Sequence, residues 1–187
     1  MEYAVVLYFD QHTQARLTQI MQEIVSEGAN DYMLAHKIPP HITLSTFRCT
    51  RRAPMQAMVE RCAHELTSGT VAWISLGAFV PSVLFASPVQ NEYLLDACKS
   101  VNDRLASMAD VQGYGYSVPY RWVPHTSLAV RLTHEELCGG FATAARHFSP
   151  LVGTADRLAL VACNPYKEIK AWPLADDLDA GEAVMVE

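Results

Sequence analysis

The chain has 187 residues, half of them hydrophobic and 18% charged, with a formal net charge of −6. That length is long for one simple domain and short for two independent ones, and the apolar content excludes general disorder. The acidic balance argues against a broad electrostatic grip on long nucleic acid, and no stretch approaches the roughly 20 apolar residues needed to cross a bilayer. Residues 1–10 show neither a basic leader nor a long apolar run, so no secretory signal is expected, and the protein is expected to be soluble and cytoplasmic. Cys49, Cys62, Cys98, Cys138 and Cys163 are widely spaced and form no C-x-x-C pair. Reduced thiols are expected, not a disulfide framework or a zinc ribbon.

Residues 3–9, YAVVLYF, are β-branched and aromatic over a short span and predict a strand. Leu17, Ile20, Met21, Ile24 and Val25 recur at helical spacing up to Gly28, which predicts a helix over 13–27. Beyond Pro39 and Pro40, HITLSTF predicts a strand. Pro54 then opens a helix whose Met55, Met58, Val59, Cys62 and Leu66 share a face. Residues 71–78 and 83–87 predict two strands around Pro81. Leu94, Leu95, Cys98, Val101, Leu105 and Met108 mark another helix, and the glycine- and tyrosine-rich QGYGYSVPY leads to a strand containing HTSLAVRL. Thr133 followed by Glu136 reads as a capping box for the next helix. Residues 157–163 and 167–172 predict the last strands, and residues 175–187 an acidic tail.

Each half of this succession runs helix, strand, helix, strand, strand. The pattern predicts one bilobal α+β domain over residues 1–174, with pseudo-repeat halves of roughly 1–80 and 81–174. Two antiparallel-rich sheets are expected to form a central cleft, with helices packed outside.

The halves also share a pentapeptide. IPPHITLSTF at 38–47 and WVPHTSLAV at 122–130 both contain Pro-His-x-(Thr/Ser)-Leu, with His41 and His125 at corresponding places. Alternation along a strand puts His41, Thr43, Ser45 and Phe47 on one face, opposite Ile42 and Leu44. It likewise puts His125, Ser127, Ala129 and Arg131 on one face, opposite Leu128, Val130 and Leu132. Each copy thus sets an imidazole and a hydroxyl side by side, roughly 6.5 Å apart along the strand. Two imidazoles on opposite sides of a phosphorus atom can serve as general base and general acid, each role contributing about 10²–10⁴ in rate. His125 is the expected base activating water and His41 the expected acid, with Thr43 and Ser127 donating to phosphate oxygens. The design needs no metal, and no cofactor is expected.

Charge follows the same pattern. The windows 30–52 and 114–136 hold six basic residues (Lys37, Arg48, Arg51, Arg52, Arg121, Arg131) against three acidic ones (Asp31, Glu135, Glu136). The remainder holds eight basic residues against seventeen acidic ones, which points to a small anionic ligand near the histidines. Arg131 is a candidate phosphate ligand, and Phe47, Tyr120 and Trp122 are candidates to stack on a base. Tyr114 and Tyr116 are candidates for a lid.

With this duplicated H-x-(T/S)-x motif, residues 1 to about 174 resemble the 2H phosphoesterase superfamily, specifically the bacterial 2'-5' RNA ligase (LigT-like) and RNA 2',3'-cyclic phosphodiesterase group. The resemblance implies a bilobal fold with a central cleft and metal-independent hydrolysis of a cyclic phosphate or a 2'-5' phosphodiester. It implies catalytic roles for His41 and His125 and phosphate-binding roles for Thr43 and Ser127. Serine at 127 replaces the commoner threonine and keeps the hydroxyl. The expected partner is a small nucleotide or an RNA 3' end carrying a cyclic phosphate, with no membrane and no obligate protein partner. Cleavage of 2'-5'-linked oligonucleotides or cyclic dinucleotides, the reverse ligation, and nucleotide binding without turnover stand as alternatives.

Overall fold

The computed structural model describes residues 1–108, 112–113 (backbone) and 121–176. Strand β1 (Glu2–Phe9) is buried on both faces, as an uninterrupted apolar run in mid-sheet should be. Helix α1 (Gln11–Ser26) starts at Asp10, whose carboxylate accepts from the Thr13 amide and hydroxyl and from the Thr154 amide. Just beyond its end lies Gly28 at φ 111°, a conformation that costs glycine little. A short helix α2 (Tyr32–Ala35) follows within the predicted loop. The chain continues as β2 (Ile42–Arg48), α3 (Arg52–Glu65), β3 (Gly69–Phe79), β4 (Val83–Pro88), α4 (Glu92–Ala106), β5 (Gln112–Gly113), β6 (Thr126–Val130), α5 (His134–His147), β7 (Leu151–Cys163) and β8 (Tyr166–Pro173). The capping box at α5 is formed in both directions between Thr133 and Glu136.

The strands form one antiparallel sheet in the order β5-β2-β1-β7-β3-β4-β6, with β8 also paired to β7. Exchanging β1 with β4, β2 with β6 and β3 with β7 returns the same order reversed from β2 to β6, so the duplication is written into the topology. The two expected sheets are therefore two wings of one hydrogen-bonded sheet. Their seam is the start of β7: residues 151–155 pair with β3, and residues 155–162 pair with β1. Sequence reading starts this strand at 157, because Gly153, Thr154 and Asp156 break the apolar pattern. Gly153 is required there, since a Cβ would lie 1.9 Å from the Thr13 hydroxyl of α1.

The helices cross between halves. The first-half helix α1 packs on α5 and β6, while the second-half helix α4 packs on α3 and β2. The sequence halves interlock, and neither wing consists of one half alone. Their common core lies between sheet and helices, with Val5, Leu7, Leu17, Ile42, Leu44, Trp73, Leu128 and Leu158 almost wholly buried. Ala4, Val6, Tyr8, Ala159 and Val161 cover the other face of the central strands. Leu174 is buried, and Ala175, expected in the tail, bridges Thr67 and accepts from the Ser68 amide. The rest of the expected tail past residue 176 lies outside the described residues.

Both motif strands contain a bulge at the leucine. Val5 pairs with Ser45 and Val6 with Thr43, which leaves Leu44 as the extra residue of β2. Leu84 pairs with Ala129 and Phe85 with Ser127, which leaves Leu128 as the extra residue of β6. An extra residue reverses every side chain beyond it. From Ile42 and from Thr126 the burial pattern is the same over five residues: buried, half-buried, buried, buried, half-buried.

Candidate active site

The bulges correct the facial assignment made from alternation. His41 and Thr43 stand at the cleft, but Ser45 and Phe47 turn into the core, and Thr46 takes the cleft position. Phe47 is fully buried against Tyr3, with ring centroids 6.1 Å apart, and is not available to stack on a base. In the second copy Ala129 is buried while Val130, expected in the core, lines the cleft. Spacing held the clue for the first strand: Leu44 and Phe47 are three residues apart, odd for a strand with one apolar face.

The cleft has two compartments sharing a wall formed by Thr43 and Thr46. One, of about 420 Å³, is lined also by His125, Phe79, Arg121, Trp122 and Val123. The other, of about 260 Å³, contains His41, Ser127, Arg131, Tyr32 and Tyr166 among its walls. Among the described residues no acidic side chain lines either compartment, while each holds one arginine. This agrees with the basic bias of the two sequence windows and suits an anionic ligand.

The imidazoles are oriented alike. Nδ1 of His41 lies 2.7 Å from the Pro39 carbonyl, and Nδ1 of His125 lies 2.9 Å from the Val123 carbonyl. A carbonyl only accepts, so each Nδ1 carries a hydrogen, and in the neutral ring Nε2 is left as a proton acceptor. Burial pulls both imidazoles below their ordinary value, and the accepting carbonyls push partly back. Positive charge on His125 lowers His41 further, which puts the two rings within electrostatic reach.

Their settings differ. His125 lies edge-on to Phe79 (4.8 Å between centroids) and 5.4 Å from Phe85. Gly77 permits this, because a Cβ there would lie 2.5 Å from the Phe85 ring. His41 lies nearly parallel to Tyr166 at 6.2 Å, and the Tyr166 hydroxyl bonds the buried Tyr8 hydroxyl at 2.5 Å. Burial pushes Tyr166 up to about 12, although the hydrogen bond with Tyr8 pulls partly back.

Arg131 reaches the cleft by a route that strand alternation does not contain. It has φ 60°, beyond the end of β6, and its guanidinium lies 3.9 Å over the Tyr32 ring. The Asn30 side-chain amide donates to the carbonyls of Val130 and Arg131 and steadies the turn. Trp122 lines the larger compartment, yet it is buried, and its indole N–H donates to the Thr43 carbonyl at 2.9 Å. Tyr114, Tyr116 and Tyr120 lie outside the described residues. Sequence reasoning missed Thr46, Tyr32, Phe79 and Tyr166 as cleft residues; only the interrupted alternation at Thr46 offered a signal. No group of three or more His, Cys, Asp or Glu side chains is placed to hold a metal among the described residues.

A family model described as the 2'-5' RNA ligase superfamily matches residues 9–164. No curated protein matches the sequence. Several solved structures share the fold. TT0787 of Thermus thermophilus is 15% identical with a TM-score of 0.60, the match covering 95% of this chain and 100% of that one. E. coli LigT complexed with 3'-AMP is 13% identical with a TM-score of 0.56, covering 92% and 97%. Usb1 of Kluyveromyces marxianus is 15% identical with a TM-score of 0.50, covering 92% and 98%. LigT has also been solved with phosphate, NADP+ and ATP.

Proposed function

This chain belongs to the 2'-5' RNA ligase superfamily, and from that premise we propose that it is a metal-independent phosphodiesterase hydrolysing the 2',3'-cyclic phosphate of RNA ends or of small nucleotides. The observation that carries the reading is the matched pair of half-buried imidazoles, each with Nδ1 tied to the carbonyl two residues upstream and Nε2 left for proton transfer. The phosphate sits against Thr43 and Ser127, whose hydroxyls donate to its non-bridging oxygens, with Arg131 as a further charge.

The pair works with one proton between its two rings. The two ring charges oppose each other equally, and burial, the largest cause lowering both, is more complete around His41, so we place the shared proton on His125. This reverses the order expected from the sequence: His41 takes the proton from the attacking water, and His125 protonates the departing ribose oxygen. Water forms the new P–O bond as the ring P–O bond breaks, and the proton balance is restored when His41 releases its proton to solvent and His125 regains one. LigT structures with 3'-AMP and phosphate support a nucleotide reading for the cleft. Among the described residues no helix is long and apolar enough to cross a membrane. We assign the protein to the cytoplasm as part of this reading, without an obligate protein partner.

A second reading, cleavage of a linear 2'-5' phosphodiester, is favoured by one observation. Compartments of about 420 and 260 Å³ flank the shared threonine wall, leaving room on each side of a phosphate. Both readings are tested by incubating the protein with nucleoside 2',3'-cyclic phosphates and 2'-5'-linked dinucleotides and identifying products by mass spectrometry. Turnover of at least one class is expected, with His41→Ala and His125→Ala each lowering kcat by about 10² or more while circular dichroism is unchanged. Full turnover by both variants would sink the mechanism.

A further inference from the structure

One hydrogen bond joins the two motifs directly. The Trp122 indole N–H, three residues before His125, donates to the carbonyl of Thr43, two residues after His41. Trp122 is 6% exposed, so its N–H has little access to water and this bond is its partner in the core. Between the indole and the imidazole stand Val123 and the buried Pro124. Val123 supplies the carbonyl that orients His125, and Pro124 has a fixed φ. A displacement of the indole therefore passes to the His125 ring through a short, stiff segment. At the other end, Thr43 itself lines both compartments.

We infer that Trp122 is a positioning residue that yokes the two histidines, its N–H setting the separation between acid and base across the cleft. The inference rests on the proposed acid–base function. The yoke is one-sided, since position 38, three residues before His41, is the aliphatic Ile38, which has no side-chain N–H to return the contact. The neighbouring carbonyl of Leu44 is held separately: the Asn102 amide of α4 donates to it at 3.0 Å, and the Cys98 thiol at 3.5 Å. The bulge therefore has its own brace, and loss of the indole N–H leaves β2 in place while freeing the His125 segment. In-line transfer needs each imidazole within about 2.6–3.2 Å of its proton. A shift on the order of 1 Å at such a site can cost about 10² in rate.

The test replaces Trp122 by phenylalanine and, where shape must be kept, by benzothienylalanine, in which sulfur replaces the N–H. Hydrolysis by the wild type and its loss in His41→Ala come first; absence of either refutes the underlying reading and not the yoke. With those in hand, kcat is expected to fall about 10–100-fold in both Trp122 variants, with KM changed less than about threefold. The pH–rate bell is also expected to narrow. Each imidazole charge opposes the other, and a looser pair brings the two apparent values together. Tyr166 and Cys163, which also line the cleft, are raised to about 12 and about 11 by burial. Tyr32, Arg121 and Arg131 are the other ionisable side chains of the described lining, and none of them is an imidazole or a carboxylate. The histidines are therefore the groups that set the limbs. A merely structural tryptophan would lower the melting temperature without moving them. Unchanged kcat and limbs in the benzothienylalanine protein would overturn the inference. So would a loss expressed in KM alone, the sign of a stacking platform. If Trp122→Phe does not fold, the benzothienylalanine protein decides alone.

Discussion

Around His41 the motif strand is braced by polar side chains from the other half: Asn102 donates to the Leu44 carbonyl and accepts from the Ser45 hydroxyl, and Trp122 donates to Thr43. Around His125 the bracing is mainly aromatic, with Phe79 and Phe85 against the imidazole, beside polar ties from the Trp73 indole to the Thr126 hydroxyl and from the Asn30 amide to the Val130 and Arg131 carbonyls. Bulge, burial pattern and Nδ1 partner are nevertheless the same in both. The comparison teaches that duplication preserved the backbone geometry that aims the groups, while the surroundings that set their proton affinity diverged. Two imidazoles in identical surroundings would share a proton evenly; unequal surroundings favour one as base and the other as acid.

The largest test of that inequality uses the leaving group. Nitrophenolate departs without protonation, so the acid becomes dispensable on a nucleoside nitrophenyl phosphodiester. We expect His125→Ala to recover most of its roughly 10²–10⁴-fold deficit on that substrate and His41→Ala to recover little, read by nitrophenolate absorbance. The opposite pattern would restore the order expected from the sequence.

Next in size are the hydroxyls. Thr43 faces both compartments and Ser127 only the smaller one. Thr43→Val is therefore expected to lower kcat by about 10², and Ser127→Ala by clearly less. Equal losses in steady-state kinetics would mean that the two hydroxyls contact the phosphate symmetrically despite their different walls.

The smallest effect is in stability. Burial holds both imidazoles below the ordinary value of 6.5. As pH falls through that value the unfolded chain gains protons that the folded one resists, so stability present at neutral pH is lost on acidification down to the folded values. Urea unfolding at pH 7.5 and pH 5 is expected to show this loss, with the pH dependence flattened more by His41→Gln than by His125→Gln, since burial is more complete around His41. A larger flattening from His125→Gln would reverse the ranking of the two sites.

Most elements were legible in the sequence, as were six of the cleft residues, the four of the pentapeptides together with Arg131 and Trp122. Apolar spacing located β1, α1, α3 and α4, Thr133 and Glu136 marked the start of α5, and the repeated pentapeptide singled out His41, Thr43, His125 and Ser127. Errors cluster beyond Leu44 and Leu128. There an inserted residue reversed the strand faces, sent Phe47 and Ala129 inward and brought Thr46 and Val130 to the cleft. Alternation assumes regular pairing, and a bulge exists only relative to a partner strand. Trp122 was legible as an aromatic near a histidine but not as a donor to Thr43, because that carbonyl is 79 residues away in the chain.

By itself the sequence determined the local chemistry of this protein. Side-chain type, helical and strand periodicity, caps and a motif repeated at corresponding places are properties of neighbours along the chain. Tertiary structure decided which wing each helix covers, that both wings belong to one sheet, where the bulges fall, and how differently the two imidazoles are surrounded. Those features depend on contacts between residues distant in sequence, where burial and hydrogen-bond partners are set by packing and not by spacing.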